Sequence, residues 1–171
     1  TRDGDFNATG TGASSGDISG ITPETSGVMI VQNSSITTGN GDIVLNGTGG
    51  TAPAGASGVL IDGVAQLSTT GGQILITGTG GGVAIGVGNH GILVNNGTMS
   101  AGGSGILTLT GNAGSASPYS GLDNHTIDIR NATVSSNSGD LTIVSDTGVG
   151  ASASNESALS VNSSGALSTS T

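Results

Sequence analysis

One block of sequence recurs along this chain. A typical copy begins with a glycine, replaced by Thr126 and Ala158 in the last two, and an alternation of apolar and polar residues. The four longer copies continue through a Ser/Thr-rich step to a Gly-Asp or Gly-Gln pair, which is Gly-Ile at 105–106, and end in a second alternation closed by glycine. The copies span residues 27–50, 58–82, 91–114, 126–150 and a shorter 158–171, and residues 1–26 hold part of a copy. Equivalent positions lie about 31 to 37 residues apart, within the range of repeat architectures. The chain is therefore predicted to be a stack of similar units.

Alignment of the copies places apolar residues in five columns. The columns are Val28, Val59, Ile92, Ile127, Leu159; Ile30, Ile61, Val94, Ile129, Val161; Ile36, Leu67, Met99, Val134, Leu167; Phe6, Ile43, Ile74, Leu107, Leu141; and Ala8, Leu45, Ile76, Leu109, Ile143. No copy could bury such a thin apolar row by itself. Each copy therefore needs the next one stacked on it, so that like residues form ladders.

The period of the pattern selects strands. Apolar residues alternate with polar ones at period two, and no stretch carries a helical stripe. Gly, Asn-Gly and Ser-Gly steps supply the turns between short strands. Because parallel crossovers are right-handed by strong preference, we predict an all-β chain: a single right-handed parallel β-helix (β-solenoid) of about five coils, with three faces per coil and the columns facing inward. The segments 47–57, 78–90, 111–125 and 146–157 should protrude from one corner as variable loops.

Composition excludes several classes of function. The formal charge is −9, with two Arg and no Lys, so the chain cannot neutralise a row of phosphates or bind an anionic membrane surface. The absence of Cys removes disulfides, thiolate metal sites and cysteine nucleophiles. No apolar run approaches the roughly 18 residues of a membrane span. We expect no cofactor, no nucleic acid and no membrane insertion.

Candidate catalytic carboxylates share one position of the repeat. Asp5, Asp42 and Asp140 fall in a column whose other members are Gln73 and Ile106, and Asp5 and Asp42 could be neighbours on adjacent coils. An aspartate after glycine is, however, a common turn former whose side chain bonds the backbone. We take that interpretation and predict no catalytic residue.

The remaining ionisable residues show no metal-binding or catalytic pattern. Asp128 and Arg130 lie two residues apart on one strand face and are expected to form a surface ion pair. His90 and His125 fall in separate loops without metal-ligand spacing, so each is expected to be solvated. Asn40 and Asp42 could form only an isolated, weak calcium site, and we predict no metal.

Two patterns of polar residues are not required by a purely structural rod. Sequons of the form N-x-S/T make eight asparagines candidate glycosylation sites, although Asn-Gly-Thr is also good turn chemistry: Asn7, Asn33, Asn46, Asn96, Asn124, Asn131, Asn155 and Asn162. A Ser/Thr row follows the third apolar column: Thr37 and Thr38, Ser68 and Thr69, Ser100 and Ala101, Ser135 and Ser136, Ser168 and Thr169. Threonine ladders on flat β-helices can bind ice, but Ser and Ala replace Thr too often here to favour that function.

The repeat style resembles a known family. The runs GVLIDGVAQLSTTGGQILITGTGGG and HGILVNNGTMSAGGSGILTLTGNAG are similar to the filamentous haemagglutinin type of repeat in large bacterial surface proteins, the two-partner-secretion exoproteins and related adhesins. The similarity covers residues 27–150 well. It implies a right-handed parallel β-helix, export across a bacterial outer membrane, and a fibre that holds adhesive or toxic modules away from the cell.

These observations lead to a functional expectation. We expect a structural and adhesive rod of a bacterial surface or secreted fibre, one segment of a longer repetitive protein, and not an enzyme. Its partners would be a glycan, a cell-surface receptor or neighbouring copies of itself, since repetition favours multivalent attachment. The alternatives are a β-helix enzyme that degrades polysaccharides, a lyase or a glycosidase, and a passive filament or sheath subunit.

Overall fold

The computed structural model describes residues 3–13, 25–51, 55–82, 88–114, 123–146, 157–162 and 164–170. These residues form fifteen short strands and no helix. In chain order the strands are β1 Phe6–Thr11, β2 Val28–Ile30, β3 Ser35–Thr38, β4 Ile43–Thr48, β5 Val59–Asp62, β6 Gln66–Thr69, β7 Ile74–Thr79, β8 Ile92–Asn95, β9 Thr98–Ala101, β10 Leu107–Asn112, β11 Ile127–Arg130, β12 Thr133–Ser136, β13 Leu141–Asp146, β14 Leu159–Asn162 and β15 Ala166–Thr169.

The strands stack in three parallel sheets of five. Sheet A has the order β1-β4-β7-β10-β13, sheet B the order β14-β11-β8-β5-β2, and sheet C the order β15-β12-β9-β6-β3. Each strand therefore pairs with its equivalent in the next copy, and the chain passes from sheet B to sheet C to sheet A in every coil. The predicted all-β parallel β-helix is confirmed.

The predicted apolar columns coincide with the register of the sheets. Val28 pairs with Val59, Leu67 with Met99, and Ile43 with Ile74, and the other column members pair in the same way. In the three middle strands of each sheet these side chains are at most 1% exposed. In the outermost strands most of them are only partly covered: Leu141 and Ile143 are half-buried, and Leu159 and Val161 are 37% and 40% exposed, although Val28 is buried. The core is thus a set of five ladders that are sealed only where a strand has a neighbour on both sides.

A glycine column brings sheet A close to sheet B. Gly47 and Gly78 sit in register near the ends of β4 and β7. A Cβ added at Gly47 would lie 2.0 Å from the carbonyl oxygen of Gly58, and one added at Gly78 would lie 2.1 Å from that of Gly91. Because these obstacles are backbone atoms, only glycine fits at these two positions of the corner between the two sheets.

The predicted Ser/Thr row divides between two tasks. The hydroxyls of Thr38, Thr69 and Ser136 are directed away from solvent and donate to the carbonyl oxygen three residues on, at 2.6, 2.6 and 2.7 Å. They close the turn between sheets C and A. The alternate positions of sheet C stack in register on the outer face, at Thr37, Ser68, Ser100, Ser135 and Ser168.

The long connections all join the end of a sheet A strand to the start of a sheet B strand, so they meet at one corner, as predicted. We call this the A–B corner. The described ends of the loops are largely buried, as at Ala56 and Asn89, and are part of the stack. Residues 52–54, 83–87, 115–122 and 147–156, which include Pro53, Pro118, Tyr119 and Asn155, lie outside the described residues, so the predicted protrusion of the loops stays a prediction. No helix among the described residues is long and apolar enough to cross a membrane.

Candidate functional site

The titratable side chains that converge in the described part of the chain lie at the A–B corner. We call His90, Asp123, His125, Asp128 and Arg130 the corner cluster. His90 lies two residues before β8, and Asp123 and His125 lie just before β11. Asp128 and Arg130 belong to β11, where they alternate with the buried Ile127 and Ile129 and so project from the outer face of sheet B.

Two asparagine side chains next to this cluster hydrogen-bond the backbone at the ends of the loops. The backbone N–H of Ala56 donates to Oδ1 of Asn89 at 2.9 Å, and the backbone N–H of Asn89 donates to Oδ1 of Asn124 at 2.8 Å. Asn89 and Asn124 are 0% and 2% exposed. Each amide oxygen thus satisfies a backbone donor of the preceding copy that would otherwise be buried without a partner. The ends of three successive loops are tied into one ladder.

The two histidines extend the same ladder by one position. The backbone N–H of His125 donates to Nδ1 of His90 at 3.2 Å, and the backbone N–H of Ser157 donates to Nδ1 of His125 at 3.1 Å. The rings stack with their centroids 5.7 Å apart. Because each Nδ1 accepts a hydrogen bond, a neutral ring carries its proton on Nε2. Burial lowers the pKa of His90 to about 4, so its ring is neutral near pH 7.

These protonated Nε2 atoms face carboxylates. Nε2 of His125 lies 3.0 Å from Oδ1 of Asp123, and Nε2 of His90 lies 4.0 Å from Oδ2 of Asp128. The ligand atoms of His90, Asp123 and Asp128 come within 4.8 Å of one another, close enough to surround a cation. A metal ion needs a ring nitrogen with a free lone pair, however, and the tautomer set by the backbone removes it from Nε2. The arrangement is that of a hydrogen-bonded charge network.

Arg130 supplies the positive charge of the network. Its guanidinium donates to Oδ2 of Asp123 at 2.6 Å and, through both Nε and Nη2, to Oδ2 of Asp128. Burial by itself would lower the pKa of Arg130, but the hydrogen bonds and charges of Asp128 and Asp123 raise it. Burial would raise the pKa of Asp123, and the hydrogen bond and charge of Arg130 together with His90 and His125 bring it below its usual value.

Exposure differs sharply within the network. The side chain of Asp128 is 0% exposed and its Oδ1 atom has no hydrogen-bond partner, whereas Arg130 and Asp123 keep 29% and 49% of their side chains exposed. One carboxylate is therefore sealed beneath one guanidinium, and the second carboxylate reaches solvent. A buried charge of this kind is stable only while its partner stays in place.

Three sequence predictions are wrong here. Asp128 and Arg130 do share a face, but they form a buried pair and not a surface pair, because His90 and the segment that carries Asp123 lie against the outer face of sheet B. His90 and His125 are 1% and 8% exposed, so they are not solvated. The sequence does hold a signal: the pair Asn-His occurs twice, two residues before the first apolar column, in GNHGI and DNHTI.

In the predicted column of aspartates, Asp5 and Asp42 bond the backbone as turn formers. Oδ1 of Asp5 accepts the backbone N–H of Asp42 at 2.9 Å, and Oδ1 of Asp42 accepts that of Gln73 at 2.7 Å. Asp5 and Asp42, which immediately precede β1 and β4, are thus neighbours on adjacent coils, as expected, and each bonds the backbone of the next copy. Asp140 occupies the same position and is exposed, and Asn40 donates to Asp3 at 3.3 Å.

The sequon asparagines lie at different places on the stack. Asn33, Asn96 and Asn131 are exposed at the corner between sheets B and C, Asn162 is exposed at the end of β14 in the column of Arg130, and Asn7 and Asn46 are exposed on the outer face of sheet A. Asn124 is buried because its side chain belongs to the asparagine ladder, so the expectation of an exposed sequon fails there. Asn155 lies outside the described residues.

Comparisons of the chain with protein-family models, with curated proteins and with solved structures give no match. The likeness to filamentous haemagglutinin-type repeats therefore remains a resemblance of sequence pattern.

Proposed function

We propose that this chain is a structural and adhesive rod segment of an extracellular fibre on a bacterial surface, and that the loops of the A–B corner make the attachment. The observation that carries the proposal is the fastening of the loop ends. Three successive loops are tied to one another by Asn89 and Asn124 and held by the charge network of Arg130. Loops that are anchored on a rigid scaffold are the usual place for binding.

The partner that suits this surface is a glycan, a glycosylated receptor or another copy of the rod. The chain carries a formal charge of −9 and abundant hydroxyl and amide groups, which hydrogen-bond sugars and repel anionic polymers. Because the loops recur at each coil, weak contacts can act together through effective concentration. The resemblance to surface adhesins agrees with an extracellular location.

The alternative, a polysaccharide-degrading enzyme, would have to use the corner cluster or the exposed Asp140, because Asp5 and Asp42 are engaged by the backbone. Within the cluster only Asp123 and Arg130 reach solvent, and Arg130 is held by two carboxylates. A general acid or base has to reach the proton that it transfers, which Asp128 cannot do from its buried position.

Incubation of the purified chain with pectins, alginates and neutral polysaccharides separates these functions. We expect retardation of the chain in gels that contain one of the polymers, with no reducing ends or unsaturated products released. Cleavage that is lost in Asp123→Asn, Asp42→Asn or Asp140→Asn would establish the enzyme instead. A chain that shows neither cleavage nor retardation, and binds no surface glycan or further copy of itself, would be a passive filament or sheath subunit.

A further inference from the structure

The outer face of sheet A is the widest outer face of the stack. Its strands have six residues each, whereas those of sheets B and C have three or four. The five strands are in register, so their outward side chains form three columns, which begin at Asn7, Thr9 and Thr11 of β1. We call these three columns the A face. Because threonine, which is stiff at χ1, predominates in them, the side chains of the A face have little rotamer freedom to lose on contact.

Three larger apolar side chains also lie on the A face. Val44 and Leu75 are neighbours on β4 and β7 and are half-buried, and Val144 of β13 is 45% exposed. They do not belong to the core, because they alternate along the strands with core residues, as Leu75 does with Ile74 and Ile76. Contact of this face with a second protein would remove their apolar surface from water, which favours association.

Charge distinguishes the A face from the outer face of sheet B. The chain carries a formal charge of −9, so two copies repel each other unless they meet through surfaces that are free of charge. The outer face of sheet B carries Asp62 and Arg130. Along the described strands, the A face holds one ionisable residue, Asp146 at the end of β13. A second copy can therefore approach the A face without bringing rows of charges together.

Area distinguishes the A face from the outer face of sheet C, which also lacks charged residues. Strands about 4.8 Å apart and six residues long cover roughly 24 Å by 20 Å, so two facing A faces bury about 1,000 Å² in total. This area is close to the lower bound of about 1,000 Å² for a specific interface. The four-residue strands of sheet C cover only about two thirds of it and fall below that bound.

We propose that two copies of this chain pair laterally through their A faces, with the two rods parallel. The orientation follows from the aspartates Asp5, Asp42 and Asp140, which immediately precede strands of sheet A and line one edge of the A face. A two-fold axis along the strands would bring the aspartate rows of the two copies together. A two-fold axis along the rod places each row against the opposite edge of the second copy, at its A–B corner, and closes the dimer without this repulsion.

This symmetry fixes which columns of the A face meet. Equivalent coils of the two copies face each other, and their strands run in opposite directions. The middle column faces itself, so Thr77 lies opposite Thr77 of the second copy. The first column faces the third, so Leu75 lies opposite Thr79 and packs against its methyl group.

Sedimentation equilibrium of the purified chain over a concentration series tests the pairing. We expect the weight-average mass to rise from 16.1 kDa toward twice this value. Thr77→Asp places two carboxylates opposite each other and should keep the chain monomeric over the same range. Thr98→Asp makes the same change at an exposed position of sheet C and should leave dimer formation unaltered. A wild-type chain that is monomeric at every concentration, or equal effects of the two substitutions, would overturn the proposal.

A charge-complementation experiment tests the parallel orientation. Leu75→Asp alone should weaken the dimer, whereas Leu75→Asp combined with Thr79→Lys places a carboxylate opposite an ammonium group twice across the interface and should strengthen it again. The two new charges lie about 13 Å apart on their own strand, too far to pair within one chain. Hydrogen-exchange protection of the Ile76 amide verifies the fold of each variant. In the antiparallel arrangement like charges would meet, so a double variant that pairs no better than Leu75→Asp would show the parallel arrangement to be wrong. Both measurements are made without polysaccharide, so their outcome is independent of glycan binding.

Discussion

The buried pair of Asp128 and Arg130 gives the sharpest energetic prediction. Sheet B carries Leu60 and Leu93 in the column of Asp128, and Asn95 and Asn162 in the column of Arg130. Arg130→Asn therefore inserts a residue that neighbouring strands already accept at this position. It also removes the guanidinium above Asp128, which stays fully buried. The backbone is undisturbed, and the change isolates the loss of the cation.

The cost of this change can be bounded. Breaking a buried ion pair by removing one partner costs about 3–5 kcal/mol. We therefore expect Arg130→Asn to destabilise the fourth copy by about 3–5 kcal/mol at pH 7.

The double variant Asp128→Leu, Arg130→Asn provides the control. It removes both charges and continues the leucine column, and such replacements of buried pairs are often neutral or stabilising. Because a stack is stabilised by contacts between neighbours, the assay is native-state hydrogen exchange at the amides of Ile127 and Ile129, supported by thermal melting. A single variant that costs under 1 kcal/mol, or a double variant as unstable as the single one, would refute the argument.

Three further predictions follow from the core, the glycine column and His90. Ile76→Asp should destabilise the fold by several kcal/mol because Ile76 is 1% exposed. Thr77→Asp, at the exposed next position, should leave the melting temperature nearly unchanged. Equal decreases in melting temperature for the two variants would contradict the assignment of the inner and outer sheet faces. Gly78→Ala should lower the melting temperature markedly because its Cβ would meet the backbone of sheet B, and an unchanged melting temperature would disprove the close approach. The pKa of His90 is about 4 in the fold and 6.5 in the unfolded chain, so the unfolded chain takes up the proton first as the pH falls. The free energy of unfolding should therefore be highest above pH 6.5 and fall by up to about 3 kcal/mol between pH 6.5 and pH 4. His90→Gln should flatten this pH dependence of urea unfolding, and an equally steep dependence would contradict the shift.

The apolar columns could be predicted from the sequence because their rule is local and repeated. Ile43, Ile74 and Leu107 occupy the same position in copies of nearly constant length, and a slip of one residue would turn each of them outward. The parallel pairing then follows, since like residues can stack in register only between parallel strands. The same reasoning identified Asp42 as a turn former.

The corner cluster could not be predicted from the alternation of apolar and polar residues along the strands. Period two places Asp128 on the outer face of sheet B, and nothing local indicates that the side chains of another copy cover that face. Asn124 shows the same limit: its sequon predicts an exposed turn, but its side chain is used to fasten the preceding loop. The burial of Asp128 and that of Asn124 both depend on contacts made by the loops between sheets A and B. These loops vary in length, so the repeat does not fix which of their residues meet. The recurrence of Asn-His at one phase is the only sequence signal of the ladder.

Attachment through the loops of the A–B corner is the central claim of the proposed function. The most direct measurement compares the intact chain with a variant whose segments 83–87 and 115–122 are replaced by Gly-Ser linkers of equal length, by affinity electrophoresis against the polysaccharide or glycan that the intact chain binds. We predict that the variant loses its retardation while the amides of Ile76 and Leu109 keep their full protection from hydrogen exchange. Undiminished retardation of a variant with an intact core would contradict the claim.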